Sequence, residues 1–188
     1  MRKVVVYELL SLDGVAEAPD RFFGWDDSLD PNLAEVIGSQ DAVILGRRTF
    51  DEWSAFWPGP GAEIQPFAPF INSVAKHVAT STPLGTDWAG ASRIDGALVD
   101  FVRELKQQPG GDIGVHGSIM VARELLAAGV VDEIKLIIGP MIAGDGRRLL
   151  DGMPSGMLEL VSSEISPAGY LLAGYRVTGK PVEASPES

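Results

Sequence analysis

The stretch Val43-Ile44-Leu45-Gly46-Arg47-Arg48-Thr49-Phe50 decides how this chain is read. With Ala42, its first residues are apolar on both parities, as in a strand buried on both faces of a sheet. Gly46 to Thr49 turn from that strand into a helix carrying Phe50, Trp53 and Phe56. A strand, turn and helix of this kind aim unpaired backbone N–H groups and the positive end of a helix dipole at one spot, where Arg47 or Arg48 can add a guanidinium. The segment is therefore an anion site by construction. The same residues also fit a blander account, in which one arginine covers the sheet edge and Thr49 caps the helix.

Outward from this stretch the pattern recurs. Upstream, Val4 to Leu10 is a run rich in β-branched residues and apolar on both parities, which predicts a central strand. Ser11-Leu12-Asp13-Gly14 ends it, and the aperiodic stretch to Leu29, with Phe22, Phe23 and Trp25, predicts a loop over a cleft. Those three aromatics suit a small satellite core better than a stacking platform. Asp30-Pro31 places an N-cap before a proline at the first helical position, and a short helix runs to Gly38. Downstream, four prolines between Trp57 and Phe70 predict irregular structure, and Lys76 to Thr80 a third strand. Leu98, Phe101, Val102 and Leu105 fall at helical spacing until Pro109-Gly110-Gly111. Ile113 to His116, Gly117-Ser118 and Ile119 to Ala128 form a second strand, turn and helix, closed by Gly129. Asp132 to Pro140 is another strand. Leu158 to Ile165 and Tyr170 to Val177 form an antiparallel pair around Pro167-Ala168-Gly169. Residues 1–179 thus read as one α/β domain, with a mostly parallel central sheet, an antiparallel C-terminal hairpin and helices on both faces. Residues 180–188 read as a disordered polar tail.

Composition narrows the function. The chain has 188 residues, a size that buries a core without staples. Its formal net charge of −11 argues against a broad nucleic-acid surface, although one loop of an acidic protein can still hold a single nucleotide. There is no cysteine, which removes disulfides and thiol chemistry. The apolar stretch Val4 to Leu10 is too short and too soon followed by Asp13 for a signal peptide or membrane span, so a cytoplasmic protein is expected. His77 and His116 lie in predicted strands without neighbouring ligands, and Asp26, Asp27 and Asp30 lack the spacing of a calcium loop, so no metal is expected.

Gly114-Val115-His116-Gly117-Ser118 offers a second turn where glycine lets backbone approach a diphosphate, with Ser118 able to cap the helix or bind the phosphate. It is neither the Gly-x-Gly-x-x-Gly fingerprint nor a Walker loop. With the first turn, however, it resembles a known family. Val43 to Phe50 is similar to the dihydrofolate reductase motif of apolar strand, Gly-Arg-x-Thr and aromatic. Ser11-Leu12-Asp13-Gly14, Gly117-Ser118, Val131-Asp132-Glu133-Ile134 and Gly144-x-Gly146 are similar, in the same order, to the reductase domain of the bifunctional riboflavin-biosynthesis enzyme and its uncharacterised relatives. The resemblance spans Val4 to Val177.

This resemblance implies the dihydrofolate reductase-like fold, NADPH as cofactor, a small heterocyclic substrate of pterin or pyrimidine type, and a homodimer. Gly46, Arg47, Arg48 and Thr49 would meet the phosphates, with Arg47 at the adenosine end. Thr80 and Ser81 would flank the adenosine 2′-phosphate, and Gly117, Ser118 and Ile119 would lie under the diphosphate. For the catalytic carboxylate, Asp30 falls nearest by spacing and Glu35 lies on the same segment, while Asp13 would face the nicotinamide region from its strand end. Each has an ordinary alternative: Asp30 as an N-cap, Glu35 as a solvated helix residue and Asp13 as half of a turn pair. The further basic and polar residues by which the riboflavin-pathway reductases hold a ribose phosphate have no counterpart here. Three readings follow: a reductase delivering hydride to a C=N or C=C bond of a small ring, a nucleotide-binding or regulatory module that keeps the cofactor half without the catalysis, or a purely structural dimer-forming domain resting on the apolar pair Leu158 to Ile165 and Tyr170 to Val177.

Overall fold

The computed structural model describes residues 1–181. The chain forms strand β1 (Val4–Leu10), helix α1 (Asp30–Gly38), β2 (Gln40–Gly46), α2 (Arg47–Phe56), α3 (Ala68–Ser73), β3 (Ala75–Ala79) and β4 (Ala91–Arg93). It continues with α4 (Leu98–Gln107), β5 (Asp112–His116), α5 (Ile119–Ala127), β6 (Glu133–Ile138), β7 (Gly156–Ile165) and β8 (Leu171–Pro181). One sheet of eight strands runs in the order β4-β3-β2-β5-β1-β6-β8-β7. The first six are parallel; β8 pairs antiparallel with both β6 and β7. This is the expected α/β architecture.

Burial follows from the double coverage of the sheet. Val4, Val6, Ala42, Ile44, Ile113 and Val115 pack on one face against α4 and α5, through Val102, Leu105, Ala122 and Leu125. On the opposite face Tyr7 and Ile137 meet Leu29, Leu33 and Val36 of the α1 region, while Val43, Leu45 and Val78 meet Phe50 and Ile71 of α2 and α3. Both parities of β1 and β2 are thus apolar because each strand has a helix layer on either side.

Three local expectations change. Asp30 is the first residue of α1 rather than its cap: Leu29 holds the cap position, and a short turn at Asp27–Leu29 leads straight into the helix. The segment read as irregular to Phe70 ends earlier, because α3 begins at Ala68 with Pro69 in its first turn, where a proline loses nothing. The expected tail starts later, since Lys180 and Pro181 still belong to β8; residues 182–188 lie outside the described part.

The ladder is anchored below the core by a clamp. Lys106 Nζ donates to Asp132 Oδ2 at 2.6 Å and to the carbonyl of Val130 at 3.0 Å, while the same carboxylate oxygen accepts from the N–H of Val4 at 2.7 Å. Asp132 therefore ties the start of β1 to the end of α4. Replacing it strands a nearly buried ammonium. Asp132→Ala should cost about 2–3 kcal/mol in a denaturant unfolding curve, and a loss below about 0.5 kcal/mol would show the clamp to be dispensable.

Candidate functional site

In a parallel sheet, ligand sites gather at the carboxyl ends of the strands. Here the ends of β1, β2 and β5 open into a cleft of about 980 Å³. Its lining comes from the turn into α2 (Gly46, Arg47, Arg48, Thr49), the turn into α5 (Gly117, Ser118, Ile119), and the strand ends Tyr7, Glu8 and His116. Aromatic rings from α2, the loop after it and the loop after β1 complete the walls.

The two turns are stapled together. Ser118 Oγ accepts from the N–H of Gly46 at 2.9 Å and donates to Thr49 Oγ1 at 2.9 Å; Thr49 Oγ1 in turn donates to the carbonyl of Gly117 at 3.1 Å. Thr49 is not the cap of α2: that position is Gly46, which has no side chain, while Ser118 at the cap of α5 spends its hydroxyl on Gly46 and Thr49, so neither helix has a side-chain cap and the first N–H groups of both remain for a ligand. Gly117 sits at φ +64° beside the Trp53 ring, and a Cβ there would come within 3.0 Å of that ring.

Charge stands at the rim. Arg47 donates to both oxygens of Asp51 at 2.7 and 2.9 Å, to Thr82 Oγ1 at 2.6 Å and to the carbonyl of Pro83 at 2.9 Å. It thereby holds the loop containing Thr80 and Ser81 against α2. Thr80 and Ser81 themselves lie on this loop beyond the cleft lining. Arg48 is shared between Glu52 and Glu17, and Glu17 also takes Arg147. The walls are rings: Trp53, Trp57 and Phe67 meet edge-on with centroids 5.2–6.0 Å apart, and Phe67 lies 5.4 Å from the His116 ring. The indole N–H of Trp57 is buried without a partner among the described residues. Of the loop aromatics, Phe23 packs on Tyr170 in a core cluster, as the satellite reading expects, while Phe23 and Trp25 also reach the cleft.

The three carboxylates singled out from the sequence are placed elsewhere. Asp13 accepts from Ser11 Oγ at 2.7 Å and from the N–H groups of Ala143 and Gly144 at 2.9 and 3.0 Å. Those bonds hold it at about 2, below the usual carboxylate range, and tie the Gly144 loop to the end of β1. Asp30 accepts from the Trp25 indole at 2.8 Å, and Glu35 pairs with Lys135 at 2.8 Å. None of the three lines the cleft.

Sequence reasoning missed the groups that do lie at its base. Glu8 is 3% exposed, and its Oε1 has no hydrogen-bond partner among the described residues. Burial pushes this carboxyl up to about 8, with the backbone N–H groups of Gly117 and Ser118 opposing. His116 is equally buried; its Nε2 lies 2.8 Å from Gln40 Oε1, and burial pushes it down to about 3. Tyr7, paired across the ladder with His116, is raised by burial, and its hydroxyl donates to Asn32 at 3.2 Å. The base of the cleft is therefore uncharged at neutral pH. The signal for Glu8 was present, since an acid inside a strand apolar on both parities has nowhere to go but inward.

The profile of the RibD C-terminal domain family matches residues 2–172. The chain belongs to that family. Among curated proteins, the uncharacterised YyaP of Bacillus subtilis is 26% identical over 184 residues, covering 95% of this chain and 96% of that protein. YwjB of the same organism, also uncharacterised, is 25% identical over 149 residues, covering 77% and 80%. Among solved structures, a putative riboflavin biosynthesis protein from Shewanella superposes with a TM-score of 0.71 at 18% identity, over 93% of this chain and 98% of that one. Dihydrofolate reductase from Enterococcus faecalis, solved with NADP(H), superposes with a TM-score of 0.64 at 15% identity, over 94% and 96%. The fold is thus the dihydrofolate reductase-like one. No helix among the described residues is long and apolar enough to cross a membrane.

The Glu8 carboxyl makes stability depend on pH in a definite direction. Its folded pKa lies above the unfolded one, so the unfolded chain releases this proton first, and wild-type stability falls as pH rises from about 4.5 to about 8. His116 acts oppositely, taking stability away as pH falls below 6.5. Glu8→Gln removes only the first effect. The variant should match or exceed the wild type by a margin that grows with pH across the upper window, by up to about 1.4 kcal/mol per pH unit. Urea unfolding from pH 5 to 8 measures this, and a constant margin would contradict it.

Proposed function

We propose that the cleft binds NADPH and that the chain is an NADPH-dependent reductase of a small heterocycle of pterin or pyrimidine type. The observation carrying this reading is the pair of uncapped helix N-termini, α2 and α5, opening on one cleft beside Arg47. Two such ends suit a ligand with several phosphates. Gly46, Arg47, Arg48 and Thr49 take one anionic group and Gly117, Ser118 and Ile119 the diphosphate, at a turn where the φ of +64° and the closely seated Trp53 ring both call for glycine at 117. Thr80 and Ser81, on the loop that Arg47 grips, flank the adenosine phosphate.

The bound cofactor supplies the hydride. The residues of this chain do the rest: the rim holds the charged end, while Trp53, Trp57 and Phe67, packed edge-on into one apolar wall, keep water from a ring lying against them. The reaction belongs where NADPH is supplied, in the cytoplasm. A second reading, a binding module without catalysis, is favoured by the placement of Asp13, Asp30 and Glu35 outside the cleft. Binding of NADPH with no oxidation across a panel of pterins and pyrimidines would select it.

Calorimetric titration decides the main reading. NADPH should bind more tightly than NADH, and Arg47→Ala should reduce that preference by about tenfold, the worth of one charge-assisted contact to a phosphate. Absence of binding by either dinucleotide would leave the family's fold without its cofactor.

We also propose a homodimer closing on β7. This edge strand is exposed along its whole length, with Leu160 at 55%, Val161 at 53% and Ile165 at 74%, an apolar edge that a second copy would cover. Light scattering at micromolar concentration should give twice the chain mass; a monomer would exclude this pairing.

A further inference from the structure

Among the contacts described above, Glu8 meets only the backbone N–H groups of Gly117 and Ser118. It lies at the carboxyl end of the central strand and lines the cleft, yet one of its oxygens meets no partner among the described residues. Among the described residues, its surroundings offer no counter-charge. His116 beside it is neutral and engaged by Gln40, the Tyr7 hydroxyl is spent on Asn32, and Arg47, Arg48 and Arg147 at the rim are paired with Asp51, Glu52 and Glu17. A carboxylate buried without a cation is costly, so the group sits here as the neutral acid. A neutral acid has an O–H to give, and leaving it unmade beside a cleft costs the protein stability that a ligand can return.

We infer that Glu8 is a ligand-binding residue: as a neutral carboxylic acid it donates its O–H to an amide-type carbonyl of the ring bound in the cleft. The identity of that ring rests on the reductase reading. Two rings carry such a carbonyl, the carboxamide-bearing dihydronicotinamide and a pterin- or pyrimidine-type substrate with a ring carbonyl. Either demands the same chemistry from Glu8, and ionisation of Glu8 replaces the donor with a repelling charge.

The test is calorimetry at pH 7 and pH 9 with three probes: NADPH, the adenosine bisphosphate half of that cofactor, and dimethyluracil, a pyrimidinedione with no proton to lose at either pH. Because only the protonated form binds and the group titrates near 8, affinity for the probe that Glu8 contacts should fall about tenfold between the two pH values. The adenosine half, which has no ring carbonyl, should show no such fall. A fall with NADPH assigns the contact to the nicotinamide; a fall with dimethyluracil alone assigns it to the substrate. Glu8→Gln, which keeps an N–H donor and cannot ionise, should bind the same probe with no dependence on pH.

In parallel, carbon NMR of labelled glutamate in the wild type should show the Glu8 midpoint rising when the probe binds, a readout independent of turnover and of any variant. Affinity that is flat with pH for every probe, a fall that persists in Glu8→Gln, or a midpoint unmoved by saturating probe each overturns the inference. If neither NADPH nor its adenosine half binds, the reductase reading fails, and dimethyluracil alone then decides the role of Glu8. Failure of that probe as well overturns both.

Discussion

The structure of the cleft depends on one side chain–side chain hydrogen bond, from Ser118 Oγ to Thr49 Oγ1, and on the two backbone bonds that extend it to Gly46 and Gly117. These join two strand, turn and helix units whose strands are neighbours in the sheet. The Ser118 hydroxyl, which would ordinarily close its own helix, is spent on the other turn, and the cap position of that other helix is a glycine. The result is two helix N-termini with open N–H groups, fixed relative to one another, which a dinucleotide needs and which one capped helix could not offer.

Much of this was legible because the relevant signals are local. The parity of Val4 to Leu10 and of Ala42 to Leu45 announced strands covered on both faces, and both lie inside the sheet between parallel neighbours. The glycines and hydroxyls of the two turns announced their geometry. Boundaries moved where neighbouring structure outweighed a local preference: Asp30 has the side chain of a cap, but a short turn ending at Leu29 enters the helix one residue earlier. Pro69 opens α3 where prolines had suggested only disorder of pattern.

The candidate site was less legible, because burial is a property of the assembled sheet. Spacing along the chain drew attention to Asp13, Asp30 and Glu35, residues that look reactive in isolation. Folding gives each a partner: two amides and a hydroxyl, an indole, and a lysine. Glu8, which looks like a strand residue, is the one left with an unpartnered oxygen. A carboxylate's availability is decided by what packs against it, and the residues around Glu8 come from β5 and the turn after it, more than a hundred positions away.

The cleft consequently carries two electrostatic regimes. Its rim holds arginines already balanced by acids, so an incoming anion exchanges partners there instead of neutralising a bare cation, and the gain is modest and specific to geometry. Its base holds a histidine and a glutamate that burial drives to their neutral forms from opposite directions. A ligand charged throughout would lose hydration at the base with nothing to replace it. A ligand charged at one end and flat, polar but uncharged at the other meets both regimes at once, and the same division explains why aromatic faces rather than further arginines line the inner wall.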